Sequence, residues 1–373
     1  MFLRSIGLAV VVLGVASCDH GQGRQVPDDL SAAAQSDVTL IERCRTQGCV
    51  VGRENVLVLK ESDHPGLLSD YPAIQEFSDG RFVMANRMRN GLLFMNASGA
   101  LESQFGRPGS GPEEFERIVS VLVGPADSLL VYDLMLQRVS VFAPDGTYVR
   151  SEYTIYGPTL ALDNGDFILA QHIGTPEAAG YPLHVMALNG TIRRSFGSAA
   201  PHYRYDIPLE TRRVVALSDP GLIWSAAPGR YELEQWDYRT GELVKRVKSH
   251  RAWFPPVVQL EADGERPVTI IEDLIQDDHG MVWVLMRVAD DKWEPPPPIQ
   301  GERPWTPEYY DNKHDWVLEA IDPTSGDVLA STRLGQMSYV APGSEFIVSS
   351  TDTTYLAARF QAWRPFLHNE EGR

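Results

Sequence analysis

From about residue 50 onward, apolar and polar positions come in a recurring order. A turn with Asp or Gly is followed by an apolar run of three to five residues, a polar loop, a second apolar run and another Gly turn. Such short apolar runs between turn residues read as β-strands. The first copy has Asp79-Gly80, Phe82-Val83-Met84, Leu92-Leu93-Phe94-Met95 and Ser98-Gly99; the second has Asp127-Ser128, Leu129 to Tyr132, Arg138 to Phe142 and Asp145-Gly146. Gly80 to Gly99 and Asp127 to Gly146 both span 19 residues. Looser copies begin at Asn164-Gly165, Pro220-Gly221, His279-Gly280 and Pro342-Gly343, the last combining Phe346-Ile347-Val348 with Tyr355-Leu356-Ala357 and lacking a fourth strand.

Six such units of about 50 residues predict an all-β, six-bladed β-propeller, because one small sheet cannot cover both of its faces and must stack on its neighbours. Runs such as Leu129 to Tyr132 and Met281 to Met286 are continuously apolar, as strands covered on both faces should be. Asn55 to Leu59 precedes the first unit without a partner of its own, and is expected to close the last blade as its missing strand. A two-layer sandwich is the alternative, but it does not call for six similar units.

The chain has 373 residues, 43% hydrophobic, with 31 Gly and 26 Pro spread along it, which favours many turns over a helical bundle. Its formal charge of −17 argues against sequence-independent binding of nucleic acid or of anionic lipid.

The start of the chain reads as an export signal: Arg4, an apolar run from Ile6 to Val15, then Ala16 and Ser17 before Cys18. The run is too short for a membrane span, which needs roughly 20 residues. Val15-Ala16-Ser17-Cys18 resembles the lipobox of bacterial lipoproteins, which implies cleavage after residue 17 and lipid on Cys18. The expected domains are thus a signal peptide (1–17), a segment with the lipidated Cys, a flexible tether and Cys44/Cys49 (18–50), the propeller (51–366) and a short tail (367–373). Cys44 and Cys49 are then an even pair in an oxidising compartment and are expected to form a disulfide; a zinc site lacks the other ligands it needs. The expected location is the bacterial cell envelope, exported and held by lipid to a membrane on its periplasmic or extracellular side.

The stretch Phe105-Gly106-Arg107-Pro108-Gly109-Ser110-Gly111-Pro112-Glu113-Glu114-Phe115, with Asp133 and Arg138 to Gly146, resembles an NHL-type repeat and the six-bladed β-propeller lipoproteins of bacteria. The resemblance implies the fold; it implies no single activity, since such propellers carry binding, scaffolding and enzymatic roles alike.

In a four-stranded blade, the loops between the second and third strands and those between blades share one face, where ligands usually bind. This assigns to that face Asn86, Arg87, Arg89, Arg107, Arg138, His172, His202, Tyr203, Arg204, Arg230, His250, Arg251 and Trp253, a set suited to a protein, a glycan or a small anionic ligand. The competing reading pairs Arg138 with Asp133 and leaves the others solvated. An insertion at about 289–316 carries Trp293, Pro295 to Pro298, Trp305, Tyr309 and Tyr310, and reads either as a docking arm or as a cover over its own blade.

No catalytic residue, cofactor or metal site is assigned. His172, His184, His202 and His279 occupy unlike blade positions; Asp163-Asn164-Gly165-Asp166 reads as a side-chain-stabilised turn; Glu113-Glu114 and Asp277-Asp278 read as solvated pairs. The expected function is a binding or scaffolding propeller with an envelope partner on the loop face. The alternative is a metal-dependent propeller lyase or lactonase.

Overall fold

The computed structural model describes residues 40–60, 73–86, 90–197, 208–249, 251–262, 264–295, 313–350 and 359–369. Six four-stranded antiparallel sheets make up the fold, five of them built from consecutive strands. Blade 1 runs from Ile74–Glu76 through Phe82–Asn86 and Gly91–Met95 to Leu101–Phe105. Blades 2 to 5 follow in the same order, from Ile118–Val123, Leu160–Ala161, Val214–Leu217 and Ile270–Gln276 as their first strands. The sixth sheet combines Ser338–Val340, Ile347–Ser350 and Arg359–His368 with the N-terminal strand Val50–Lys60 as its fourth. Val50 pairs with His368 and Lys60 with Arg359, so the front of the folded chain is hydrogen-bonded to its end.

Alternation along each strand explains the stacking. Trp283 and Leu285 point toward blade 6, whereas Val282, Val284 and Met286 between them point toward blade 4. Each of six buried apolar clusters lies between two successive blades. The closing one sets Leu57, Leu59, Phe346 and Val348 of blade 6 against Phe82, Met84 and Leu93 of blade 1. Large aromatic side chains fill these wedges, with Trp224, Trp283 and Trp363 fully buried.

The chain departs from the sequence pattern in three places. The closing strand is longer than Asn55 to Leu59. The third strand of blade 6 is Arg359–His368, whose apolar positions are interrupted by Gln361 and Arg364; Tyr355 to Ala357 lie outside the described residues. In blade 5 the strands Val282–Ala289 and His314–Ile321 extend into the expected insertion, so the hairpin projects beyond its neighbours.

Before the closing strand, residues 40–47 are helical and Cys44 is bonded to Cys49. Leu40, Ile41 and the buried Cys44 pack on the cluster between blades 5 and 6, and Arg45 pairs with Asp322. Among the described residues no helix is long and apolar enough to cross a membrane. Cys18 and the rest of the leader lie outside them.

Candidate functional site

The two ends of the ring differ in construction. Short turns join first to second and third to fourth strands at one end, which we call the turn end. The loop end carries the longer connections, including 106–117, 170–182, 249–269 and 290–313.

The motif that carries the family resemblance is at the loop end, and its work is structural. Arg138 donates from Nη1 to the Ser110 carbonyl at 2.9 Å and from Nη2 to those of Gly111 and Glu114, each at 2.6 Å. Asp133, its cross-strand partner, accepts from the backbone N–H groups of Glu116, Arg117, Met135 and Leu136. The two charges therefore each serve backbone rather than each other. Glu114 accepts from Gly111 N–H and Arg107 Nε, both at 2.8 Å, which holds its carboxyl below the usual carboxylate range. Gly106 has φ +90°, and a Cβ there would meet the Phe115 ring at 2.7 Å. The motif is a clamp that fastens blade 1 to blade 2.

The other residues assigned to the loop face are only in part available there. Asn86 is buried at the end of its strand. Arg251 lies 3.3 Å from Glu319, a buried carboxylate that also accepts from Tyr231 Oη at 2.5 Å. Arg230 lies 3.5 Å from Glu210. His172 neighbours His184, whose ring nitrogens meet Ser195 Oγ and the Gln171 carbonyl and whose pKa burial pushes down to about 4. Trp253 is exposed and sits edge-on to Phe254. Arg87, Arg89, His202, Tyr203, Arg204 and His250 lie outside the described residues, as do Trp305, Tyr309 and Tyr310.

Apolar surface, which the residue-type reading did not single out, is what the loop end does present. Eight of the thirteen large hydrophobic side chains exposed among the described residues are there: Leu134, Met135, Tyr153 and Ile155 on blade 2, Tyr181 on blade 3, and Trp253, Val258 and Leu260 after blade 4. The base of the projecting hairpin leans on that last connection. Arg266 lies over the Trp293 ring at 5.9 Å, and Lys313 meets Glu261 at 3.0 Å. Asp290, Asp291 and Asp315 gather at the same base, and Arg333 binds Asp315 at 2.6 Å.

The turn end carries a cleft of about 270 Å³ at the mouth of the central channel, between the first strands and first turns of blades 4, 5 and 6. Asp219, Asp273, Asp277, Asp278 and Glu345 line it, with no Lys, Arg or His among the lining residues. Asp277, read from sequence as solvated, accepts from Trp283 Nε1 at 2.8 Å and from the backbone N–H groups of Met281 and His279. Burial nonetheless pushes its pKa up. Asp163-Asn164-Gly165-Asp166 is an Asx turn, with Asn164 Oδ1 accepting from Asp166 N–H at 3.0 Å.

Comparison with known proteins agrees with this architecture. A family model described as a 6-bladed β-propeller (DUF5128) matches residues 67–155. A solved structure of a DUF4221 family member from Bacteroides vulgatus is similar at 11% identity, over 86% of this chain and 99% of that one, with a TM-score of 0.55. A protein of Bacteroides fragilis described as exported is similar at 12% identity, over 84% and 95%, with a TM-score of 0.57. A virginiamycin B lyase from Staphylococcus aureus is similar at 10% identity, over 85% and 99%, with a TM-score of 0.42, too distant to bear on activity. No curated protein sequence matches the chain.

Proposed function

We propose that the chain is a binding propeller of the cell envelope, exported, lipid-anchored through Cys18, and docking a partner protein on its loop end. The observation that carries this reading is the uneven distribution of exposed apolar surface. Eight large side chains stand on the loop end, whereas the other five among the described residues, Val149, Leu217, Leu243, Val244 and Phe366, are scattered over outer strands and the turn end. Protein-recognition surfaces are rich in Met, Tyr and Trp, and here Met135, Tyr153 and Trp253 occupy such positions. The internal use of Arg138, Arg230 and Arg251 leaves less support for an anionic ligand than their residue types suggest. Lipid anchoring rests on the lipobox-like residues alone; export rests on the leader and is supported by the Cys44–Cys49 disulfide and by a structure of the same fold that is described as exported.

The test uses the full chain as bait for cross-linked capture from the native envelope. Met135→Asp and Trp253→Asp place charge on the loop end, and Val244→Asp places it on an outer strand. We expect one captured protein to be lost with the first two variants and kept with the third. Capture indifferent to the loop-end variants contradicts the reading.

A further inference from the structure

The first strand of blade 5 reads Ile270-Ile271-Glu272-Asp273-Leu274-Ile275-Gln276, two charged residues amid apolar ones. A register shift between Ile271 and Asp273 bulges the strand there. Asp273 shares the alternation of Ile275 and so points toward blade 6, where it accepts from the Val340 N–H at 3.0 Å through Oδ2. Its Oδ1 accepts no hydrogen bond from the described residues, and its accessible surface opens into the turn-end cleft. A half-buried carboxylate with half its acceptor capacity unused is costly to hold ionised, a cost that Arg212 offsets in part and a bound countercharge would offset further.

The cleft supplies the rest of a site. At its mouth Asp278 and Glu345, contributed by the first turns of blades 5 and 6, also accept no hydrogen bond from the described residues. Arg364, the cation that acts on Glu345, is already paired with Glu76. Between mouth and interior lie the alkyl groups of Leu217, Val340 and Pro342, and Leu217 is 40% exposed among the described residues. Asp273 sits three residues before the end of its strand, or about 10 Å inward. Among the described residues no three of these carboxylates offer oxygens within 4.8 Å of one another, so they do not surround a single metal ion. Carboxylates spaced along an apolar wall match an elongated molecule instead.

We propose that this cleft binds an organic cation, an amine or guanidinium on an alkyl stem, with Asp273 as the inner anchor and Asp278 and Glu345 meeting charge at the mouth. The cation is carried either by a free diamine or polyamine or by a Lys or Arg side chain of a partner. The site is independent of the loop end, and of whatever docks there.

Titration calorimetry of the full chain at pH 8 tests it, with cadaverine, spermidine and a Lys-containing tripeptide blocked at both termini as ligands. We expect saturable binding at one site, with Asp273→Asn and Glu345→Gln each weakening it about tenfold, the loss of one charged hydrogen-bonding partner. Glu345 is exposed on a turn, so its variant keeps the fold even if the buried one does not. Tighter binding of the free amines identifies a small-molecule ligand; tighter binding of the peptide identifies a protein side chain. The proposal is overturned if none of the three saturates. It is also overturned if both variants bind as the wild type does, which is general attraction to an acidic chain, or if calcium alone binds.

Discussion

Three backbone carbonyls between blades 1 and 2 depend on the one guanidinium of Arg138. Arg138→Ala removes all of these bonds at once and is expected to cost about 2–3 kcal/mol, read as a lower urea midpoint at unchanged slope. Asp273 makes the opposite prediction. Burial pushes its pKa up to about 7, with Glu272 adding to the shift and Arg212 opposing it. Between its unfolded value near 4 and 7 the folded state holds a proton that the unfolded state has released, so this group stabilises at low pH and ceases to as pH rises. His184 and His314 slope the other way: burial pushes each down to about 4, so acid below their unfolded value near 6.5 favours the unfolded chain. The difference between Asp273→Asn and wild type isolates the carboxylate. Its stability gain should be nil near pH 4 and climb to a plateau of about 2–4 kcal/mol above pH 7 in urea titrations. Such roles were only half legible in the sequence. The type and position of Arg138 mark it as special, but whether it faces a ligand or a neighbouring backbone depends on how a distant loop folds over it. Asp277 and Asp278 are alike in sequence, yet one accepts a hydrogen bond from the Trp283 indole and the other stands exposed at the cleft mouth.

Strands were the most legible elements, because a sheet covered on both faces needs continuous apolar runs and a tight turn needs Gly or Asp. Legibility failed where other forces take over. Arg359–His368 keeps its place in blade 6 although Gln361 and Arg364 break its pattern, because it is sandwiched between two paired strands, Ile347–Ser350 and Val50–Lys60. The helix at 40–47 falls on the Cys44/Cys49 segment, where the sequence marks no element; Leu40, Ile41 and Cys44 supply its single apolar face, too short a pattern to read alone. Its disulfide closes a loop of a few residues, for which chain entropy gives about 2 kcal/mol. Replacing both cysteines by serine should therefore release the segment ahead of the ring without unfolding it. Limited proteolysis should cut near Arg43 and Arg45 while the blades survive, and simultaneous loss of the blades would show that the helix is integral to them.

At the scale of the molecule, six wedges meet through six apolar clusters, and the ring has no free start because its front strand belongs to its last sheet. That closure fixes which connections share an end. It separates the apolar loop end, where a partner protein is proposed to dock, from the acidic cleft at the mouth of the channel. Two surfaces of opposite character on one rigid body allow two ligands to bind without competing. All of this depends on Val50–Lys60 being an integral strand rather than a loosely associated one. Native-state hydrogen exchange on the full chain measures that directly. Amides of Val50–Lys60 that donate to Arg359–His368 should exchange as slowly as those of Val282–Ala289 and open only with global unfolding. Rapid exchange of Val50–Lys60 while the blades stay protected would contradict a ring closed by its own N-terminal strand.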